Sequence, residues 1–250
     1  MDLNLADKVV IVTGASRGLG EAIVKDLVDE GASVIAAARS ESALKAISEY
    51  SPEKIAVCVA DMENRNDVQG LVNFALDTFG SLSAVVNNAG IAPAGKFVDI
   101  DIEIMEKTFA VNVFAPAILA REAARYFIES GIEGSIVNIA STSGLKGKAL
   151  LVGYSASKGA MMRLTEALAA EWARFGIRVN TVAPGAFVTD AQSAVLEDEK
   201  TLDARLRKIP LRRMGEPSEI GALVSYLVSS KSGFVTGSCF VADGGEVNSL

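Results

Sequence analysis

Tyr154 and Lys158 stand four residues apart in Tyr154-Ser155-Ala156-Ser157-Lys158, and Ser141 lies thirteen residues before the tyrosine. On a helix, positions i and i+4 share one face. An ammonium beside a phenol favours the ionised form and lowers its pKa. A tyrosine tuned in this way donates a proton near neutral pH and takes it back in the reverse reaction. Such pairs also fall by chance on helices that do no chemistry, so the pair draws meaning from a second feature. Thr13-Gly14-Ala15-Ser16-Arg17-Gly18-Leu19-Gly20 follows an apolar run and opens an amphipathic one, with the spacing G-x-x-x-G-x-G. Glycines there allow a tight turn and close approach of backbone to phosphate. A helix N-terminus supplies free N–H groups and a positive dipole end. The bland alternative is a plain strand-to-helix turn.

Composition removes several other chemistries. Histidine is absent, which excludes Ser-His-Asp and Cys-His catalysis and the usual histidine-based zinc sites. No metal site is expected. Gly153-Tyr154-Ser155-Ala156-Ser157 resembles a nucleophile elbow but lacks its final glycine. The net charge of −7 argues against nucleic acid as a partner. The basic cluster Arg205, Arg207, Lys208, Arg212 and Arg213 reads as a solvated face. No apolar run is long enough to span a membrane. The start Met1-Asp2-Leu3-Asn4-Leu5 lacks the basic and apolar parts of a secretion signal. A cytoplasmic location is expected. Cys58 and Cys239 show no metal or redox spacing, and their apolar, strand-like surroundings predict buried thiols.

The elements that must hold these residues alternate along the chain. Short β-branched runs at 9–12, 34–38, 55–60, 84–87, 135–139, 178–182 and 239–241 read as strands. Amphipathic stretches at 18–29, 41–48, 64–79, 102–128, 154–175 and 217–227 read as helices. Continuous apolar strands separated by helices predict a doubly wound parallel sheet with helices on both faces, an α/β fold of Rossmann type. Without repeat, low-complexity tract or linker, residues 1–250 read as one domain. Residues 188–215 break the rhythm, being polar and charged; they read either as a lid or as a surface helical excursion.

Taken in order, the motifs resemble the short-chain dehydrogenase/reductase family over essentially the whole length. They are the turn at 13–20, Asp61, Asn87-Asn88-Ala89-Gly90, Asn112, Ser141, Tyr154, Lys158 and Pro184-Gly185. The resemblance implies a nicotinamide cofactor held at Gly14, Ser16, Arg17, Gly18, Leu19 and Gly20. Asp61 and the Met62 backbone would face the adenine, though on the residues alone Asp61 is a solvated loop carboxylate. Asn88, Ala89 and Gly90 would hold strand ends against the cofactor. Pro184, Gly185, Val188 (through its backbone) and Thr189 would wrap the nicotinamide.

The end of the second strand reads Ala38-Arg39-Ser40, where an NAD enzyme of this kind usually places an acid. Arg39 and Arg17 would clamp a 2′-phosphate. NADP(H) is therefore expected over NAD(H).

The same resemblance implies reversible hydride transfer between the cofactor and a carbonyl/alcohol pair. Tyr154 would be the acid/base and Ser141 the donor to the substrate oxygen. Lys158 would depress the tyrosine pKa and hold ribose hydroxyls. Asn112 would order a water that relays protons to Lys158. Ser143, Leu145, Ala186 and Phe187 join Ser141 and Tyr154 as expected lining of a mostly apolar substrate pocket. A carboxylate anchored near the carbonyl is disfavoured, although Lys146 and Lys148 reach toward a more distant anion. A 3-oxoacyl reductase remains open, weakened by the acidic stretch 128–133, and so do a sugar or polyol dehydrogenase, an epimerase or dehydratase, and an NADP-sensing regulator. A homotetramer is implied, packed through helices at 112–128 and 154–175 and the last strand.

Overall fold

The computed structural model describes residues 3–248. Met1 and Asp2, the first residues of the start that lacks a secretion signal's basic and apolar parts, lie outside the described residues, as do the last two of the expected 1–250 unit. Seven strands form one parallel sheet: β1 (Val9–Thr13), β2 (Ser33–Ala38), β3 (Ile55–Val59), β4 (Ala84–Asn87), β5 (Gly134–Ile139), β6 (Ile177–Pro184) and β7 (Cys239–Ala242). Their order is β3-β2-β1-β4-β5-β6-β7. The chain reverses its direction of winding between β1 and β4. A crevice opens there, at the carboxyl ends of the strands, where ligands of such sheets bind.

The helices are α1 (Gly18–Asp29), α2 (Glu41–Ser48), α3 (Arg65–Phe79), α4 (Ile102–Phe109), α5 (Ala115–Ser130), α6 (Thr142–Leu145), α7 (Val152–Trp172), α8 (Ser193–Leu196), α9 (Glu199–Leu206) and α10 (Pro217–Val228). Side chains of β1 alternate between two cores, as a period of two requires. Val10 and Val12 enter the core beneath α1, α2 and α10. Val9 and Ile11 enter the one beneath α3, α5 and α7. Both faces of the sheet are thus covered, which is why the strands read as unbroken apolar runs. No helix among the described residues is long and apolar enough to cross a membrane.

Two expectations are corrected here. The helix expected over 102–128 is divided: α4 and α5 flank a π-helical segment, Ala110–Phe114. Pro116 in the first turn of α5 has no N–H to offer the preceding turn, which favours such a break. Cys58 is only half-buried and Cys239 is exposed, because β3 and β7 are the two edge strands of the sheet. Residues 188–215 are a helical excursion with a small core of their own. Ala186, Ile209 and Met214 are buried there against Val188, Leu196, Leu202 and Leu206.

Candidate functional site

The glycine turn closes on the loop after β4. Gly14 has φ +64°, and a side chain there would meet the Ala89 backbone at 2.8 Å. At Gly20, a Cβ would lie 2.1 Å from the Gly14 carbonyl oxygen. Only glycine permits this approach of α1 to the turn. Thr13 Oγ1 accepts from the N–H groups of Asn88 and Ala89, each at 3.1 Å. Asn88 Nδ2 donates to the carbonyls of Thr13 at 2.9 Å and Gly14 at 3.1 Å. No side chain caps the N-terminus of α1, so its leading N–H groups face a cavity of about 850 Å³.

That cavity joins nearly all the residues expected to touch a nucleotide. Gly14, Ser16, Arg17, Gly18, Leu19 and Gly20 form one wall. Ala38, Arg39 and Ser40 lie at the far end with Asp61 and Met62. Asn88, Ala89, Gly90, Pro184, Gly185 and Thr189 close the near end. Arg17 and Arg39 are exposed and face the same space. Asp61 also accepts from the Glu63 N–H at 3.0 Å, so its carboxylate shapes the loop it sits on. An uncapped helix end and glycines that a Cβ would block fit the pyrophosphate of a dinucleotide.

Ser141, Tyr154 and Lys158 come together on the wall of this cavity. Tyr154 lies on α7 one turn before Lys158, and Ser141 caps α6 by accepting from the Ser143 N–H at 3.1 Å. The Ser141 side chain is hydrogen-bonded to Tyr154. Lys158 is 4% exposed, and its ammonium donates to the Ile139 carbonyl at 2.7 Å. It lies 5.8 Å from the centre of the Tyr154 ring.

The electrostatics differ from the expectation that Lys158 depresses the tyrosine. Burial pushes the Tyr154 phenol above its ordinary value, opposed only by the Ser141 hydrogen bond. Burial also drives Lys158 down, to about 8. The lysine has turned to the Ile139 carbonyl, and desolvation dominates both groups.

Asn112 sits in the π-helical segment, 1% exposed. Its amide clamps Ile91, accepting from the N–H at 2.9 Å and donating to the carbonyl at 2.9 Å, and it donates to Ser157 Oγ at 3.0 Å. The polar partner that a buried asparagine demands is thus backbone and a serine. Gly90 packs between Asn112 and Lys158; a Cβ there would lie 3.2 Å from Asn112 Oδ1 and 3.4 Å from Lys158 Nζ. Ser157 and Ile139 have no signature in the sequence as site residues, since they serve the site through a common hydroxyl and a backbone carbonyl.

The chain belongs to the short-chain dehydrogenase/reductase family. A family model described as Enoyl-(Acyl carrier protein) reductase matches residues 14–246. Glucose 1-dehydrogenase of Gluconobacter oxydans is 38% identical over 244 residues, covering 96% of this chain and 92% of the relative. A 3-oxoacyl-(acyl-carrier-protein) reductase of Vibrio cholerae is 34% identical, covering 97% of this chain and 98% of that one. A crystal structure of a short-chain type dehydrogenase/reductase from Mycobacterium marinum superposes with a TM-score of 0.91 at 32% identity, covering 98% of this chain and 97% of the other. Membership makes the protein an oxidoreductase of a family that uses nicotinamide cofactors.

Several expected site residues lie elsewhere. Ala186 is buried in the excursion's core. Val188 packs against that core, and its N–H donates to the Gly215 carbonyl at 2.9 Å. Leu145 ends α6 exposed and lines neither cavity. Phe187 does line the nucleotide cavity. Ser143 opens instead onto a second cavity with Lys146, Lys148, Arg205, Arg207, Lys208 and Arg212. The basic cluster is a largely solvated face, with Arg207, Lys208 and Arg212 exposed, and it lines this cavity opposite the segment after Ser141. Arg213 stands apart, paired with Glu219 of α10 at 2.7 Å.

Proposed function

We propose that the protein is an NADP(H)-dependent oxidoreductase that interconverts a ketone or aldehyde with an alcohol, with Tyr154 as acid and base. The observation that carries this reading is the meeting of Ser141, Tyr154 and Lys158 on the wall of the dinucleotide-shaped cavity. NADPH supplies the hydride when bound. Arg17 and Arg39, at the mouth where Ala38 leaves no acid, would hold its 2′-phosphate.

In reduction, Ser141 and Tyr154 both address the carbonyl oxygen. The Ser141 hydroxyl donates a hydrogen bond that strengthens as charge develops there. The Tyr154 hydroxyl donates its proton. Burial keeps the phenol protonated across the neutral range, which suits this direction. In oxidation the same tyrosine must begin as phenolate, so alcohol oxidation rises with pH while reduction does not. Lys158 holds the cavity floor through Ile139, and Asn112 fixes Ile91 beside it. The similarity to a glucose 1-dehydrogenase and to a 3-oxoacyl reductase places sugars and 3-oxoacyl thioesters in the first substrate panel. Assembly as a homotetramer accords with exposed apolar side chains at Phe114, Ile128, Phe175 and Phe234.

The test is loss of nicotinamide absorbance with NADPH and NADH across ketones, keto-sugars and 3-oxoacyl thioesters. Turnover with NADPH that falls by at least about a hundredfold in Tyr154→Phe, with cofactor binding retained, supports the reading. Undiminished turnover in that variant sinks the proposed acid.

A further inference from the structure

The second cavity begins at Thr142 and Ser143, the two residues after Ser141, and encloses about 830 Å³. Lys146, Lys148, Arg205, Arg207, Lys208 and Arg212 line it, with the single carboxylate of Glu246. Arg205 engages that carboxylate through two contacts, at 2.6 and 2.7 Å. Arg207 pairs with Asp203. Among the described residues, Lys146, Lys148, Lys208 and Arg212 lie within ion-pair distance of no carboxylate. Four unbalanced cations around one cavity are unusual in a chain whose net charge is −7. Lys148 keeps contact with solvent, yet partial burial and then the charges of Arg205 and Lys208 push its ammonium below the ordinary lysine value, against the pull of Glu246. Like charges gathered around one cavity favour an anion in it.

The backbone that carries Lys146 and Lys148 is tied to neighbours of the reacting residues. The Lys148 N–H donates to Ser155 Oγ at 3.2 Å, next to Tyr154 on α7. The Lys146 N–H donates to the Thr142 carbonyl at 3.0 Å, next to Ser141. The arginines and Lys208 arrive from the opposite side, on α9 and the turn after it. The cavity thus adjoins the chain neighbours of Ser141 and Tyr154, which stand on the wall of the first cavity.

We infer that the substrate of this enzyme carries a phosphate ester remote from its reacting carbon, and that the cavity between the segment after Ser141 and α9 binds that phosphate. The inference rests on the oxidoreductase reading for the reaction and on the cation cluster for the group recognised. A carboxylate would offset one of the four charges. A phosphate monoester brings nearly two negative charges and three acceptor oxygens. Two sources offer a phosphate ester: a sugar phosphate, as a doubly charged monoester, and the phosphopantetheine arm of an acyl thioester, as a singly charged diester where it is joined to its carrier.

The experiment titrates glucose 6-phosphate and 4′-phosphopantetheine into the protein by calorimetry, with glucose and pantetheine as the unphosphorylated controls. NADP⁺ is kept saturating so that the dinucleotide cavity is filled. At least one phosphorylated probe should bind about tenfold tighter than its control, and the member that does so identifies the source. Lys148→Glu/Lys208→Glu should abolish the preference, and Lys148→Gln/Lys208→Gln should reduce it; thermal melting checks that each variant is folded. No phosphate preference for either probe, or a preference that survives the charge reversal in a folded protein, overturns the inference. A preserved preference in wild-type protein that turns over no carbonyl compound with NADPH or NADH would overturn the oxidoreductase reading and leave the anion site standing.

Discussion

Lys158→Met removes an ammonium buried to 4% exposure against the Ile139 carbonyl. Burial lowers this lysine from 10.5 to about 8. That gap corresponds to about 3 kcal/mol of differential stability between the charged and neutral forms. The sign follows from proton binding. Between these two values the unfolded chain holds the proton and the folded chain does not, so stability rises with pH. Below about pH 8 the folded protein bears the whole desolvation cost, because the lysine is charged in both states. The unfolding free energy of wild type minus that of Lys158→Met should therefore climb by about 2–3 kcal/mol from about pH 7 to about pH 10. Urea titrations at several pH values measure it, followed by the fluorescence of Trp172, the sole tryptophan and 8% exposed. Taking the difference largely cancels titrating groups remote from Lys158. A difference that stays flat, or falls as pH rises, would refute the claim that desolvation governs this lysine.

Arg39→Asp should move cofactor preference toward NADH by at least about tenfold in kcat/KM, since an acid there accepts from a ribose hydroxyl and repels a 2′-phosphate; an unchanged NADPH/NADH ratio would show that the phosphate lies elsewhere. Gly20→Ala places a methyl 2.1 Å from the Gly14 carbonyl oxygen and 2.6 Å from Asn88 Nδ2, so stability should drop by about 1–3 kcal/mol or more, with loss of cofactor affinity measured by fluorescence titration. Asn112→Leu leaves the Ile91 N–H and carbonyl without their partner; it should cost about 2–4 kcal/mol in denaturant unfolding and more than Asn112→Asp, which keeps the acceptor. The pH profile of alcohol oxidation should rise toward the elevated value of Tyr154, and a profile that levels off below neutrality would mean the phenol is not held protonated by burial.

Much of this molecule is written locally in its sequence. The seven strands and the amphipathic helices follow from side-chain periodicity, and all seven strands lie within about two residues of their expected limits at each end. Gly14, Gly18 and Gly20 are legible because backbone proximity to phosphate leaves no substitute for glycine. Tyr154 and Lys158 are legible because helical spacing fixes their common face. What the sequence does not carry is the environment around those groups. Whether Lys158 lowers the tyrosine depends on where the ammonium points, and the Ile139 carbonyl decides that from a strand nineteen residues away. The π-helical segment that turns Asn112 onto Ile91 is a backbone irregularity with only a weak local sign in Pro116. Cys58 and Cys239 looked buried because an apolar run does not state whether its strand will be an edge. The basic stretch at 205–213 reads locally as surface. Only the return of the excursion over α6 sets Arg205, Arg207, Lys208 and Arg212 against Lys146 and Lys148, about sixty residues away in the chain. Pattern along the chain determines elements and motifs, because local sterics and periodicity act over a few residues. Burial, charge balance and the shape of the substrate end arise from contacts between distant segments, and those the tertiary structure alone decides.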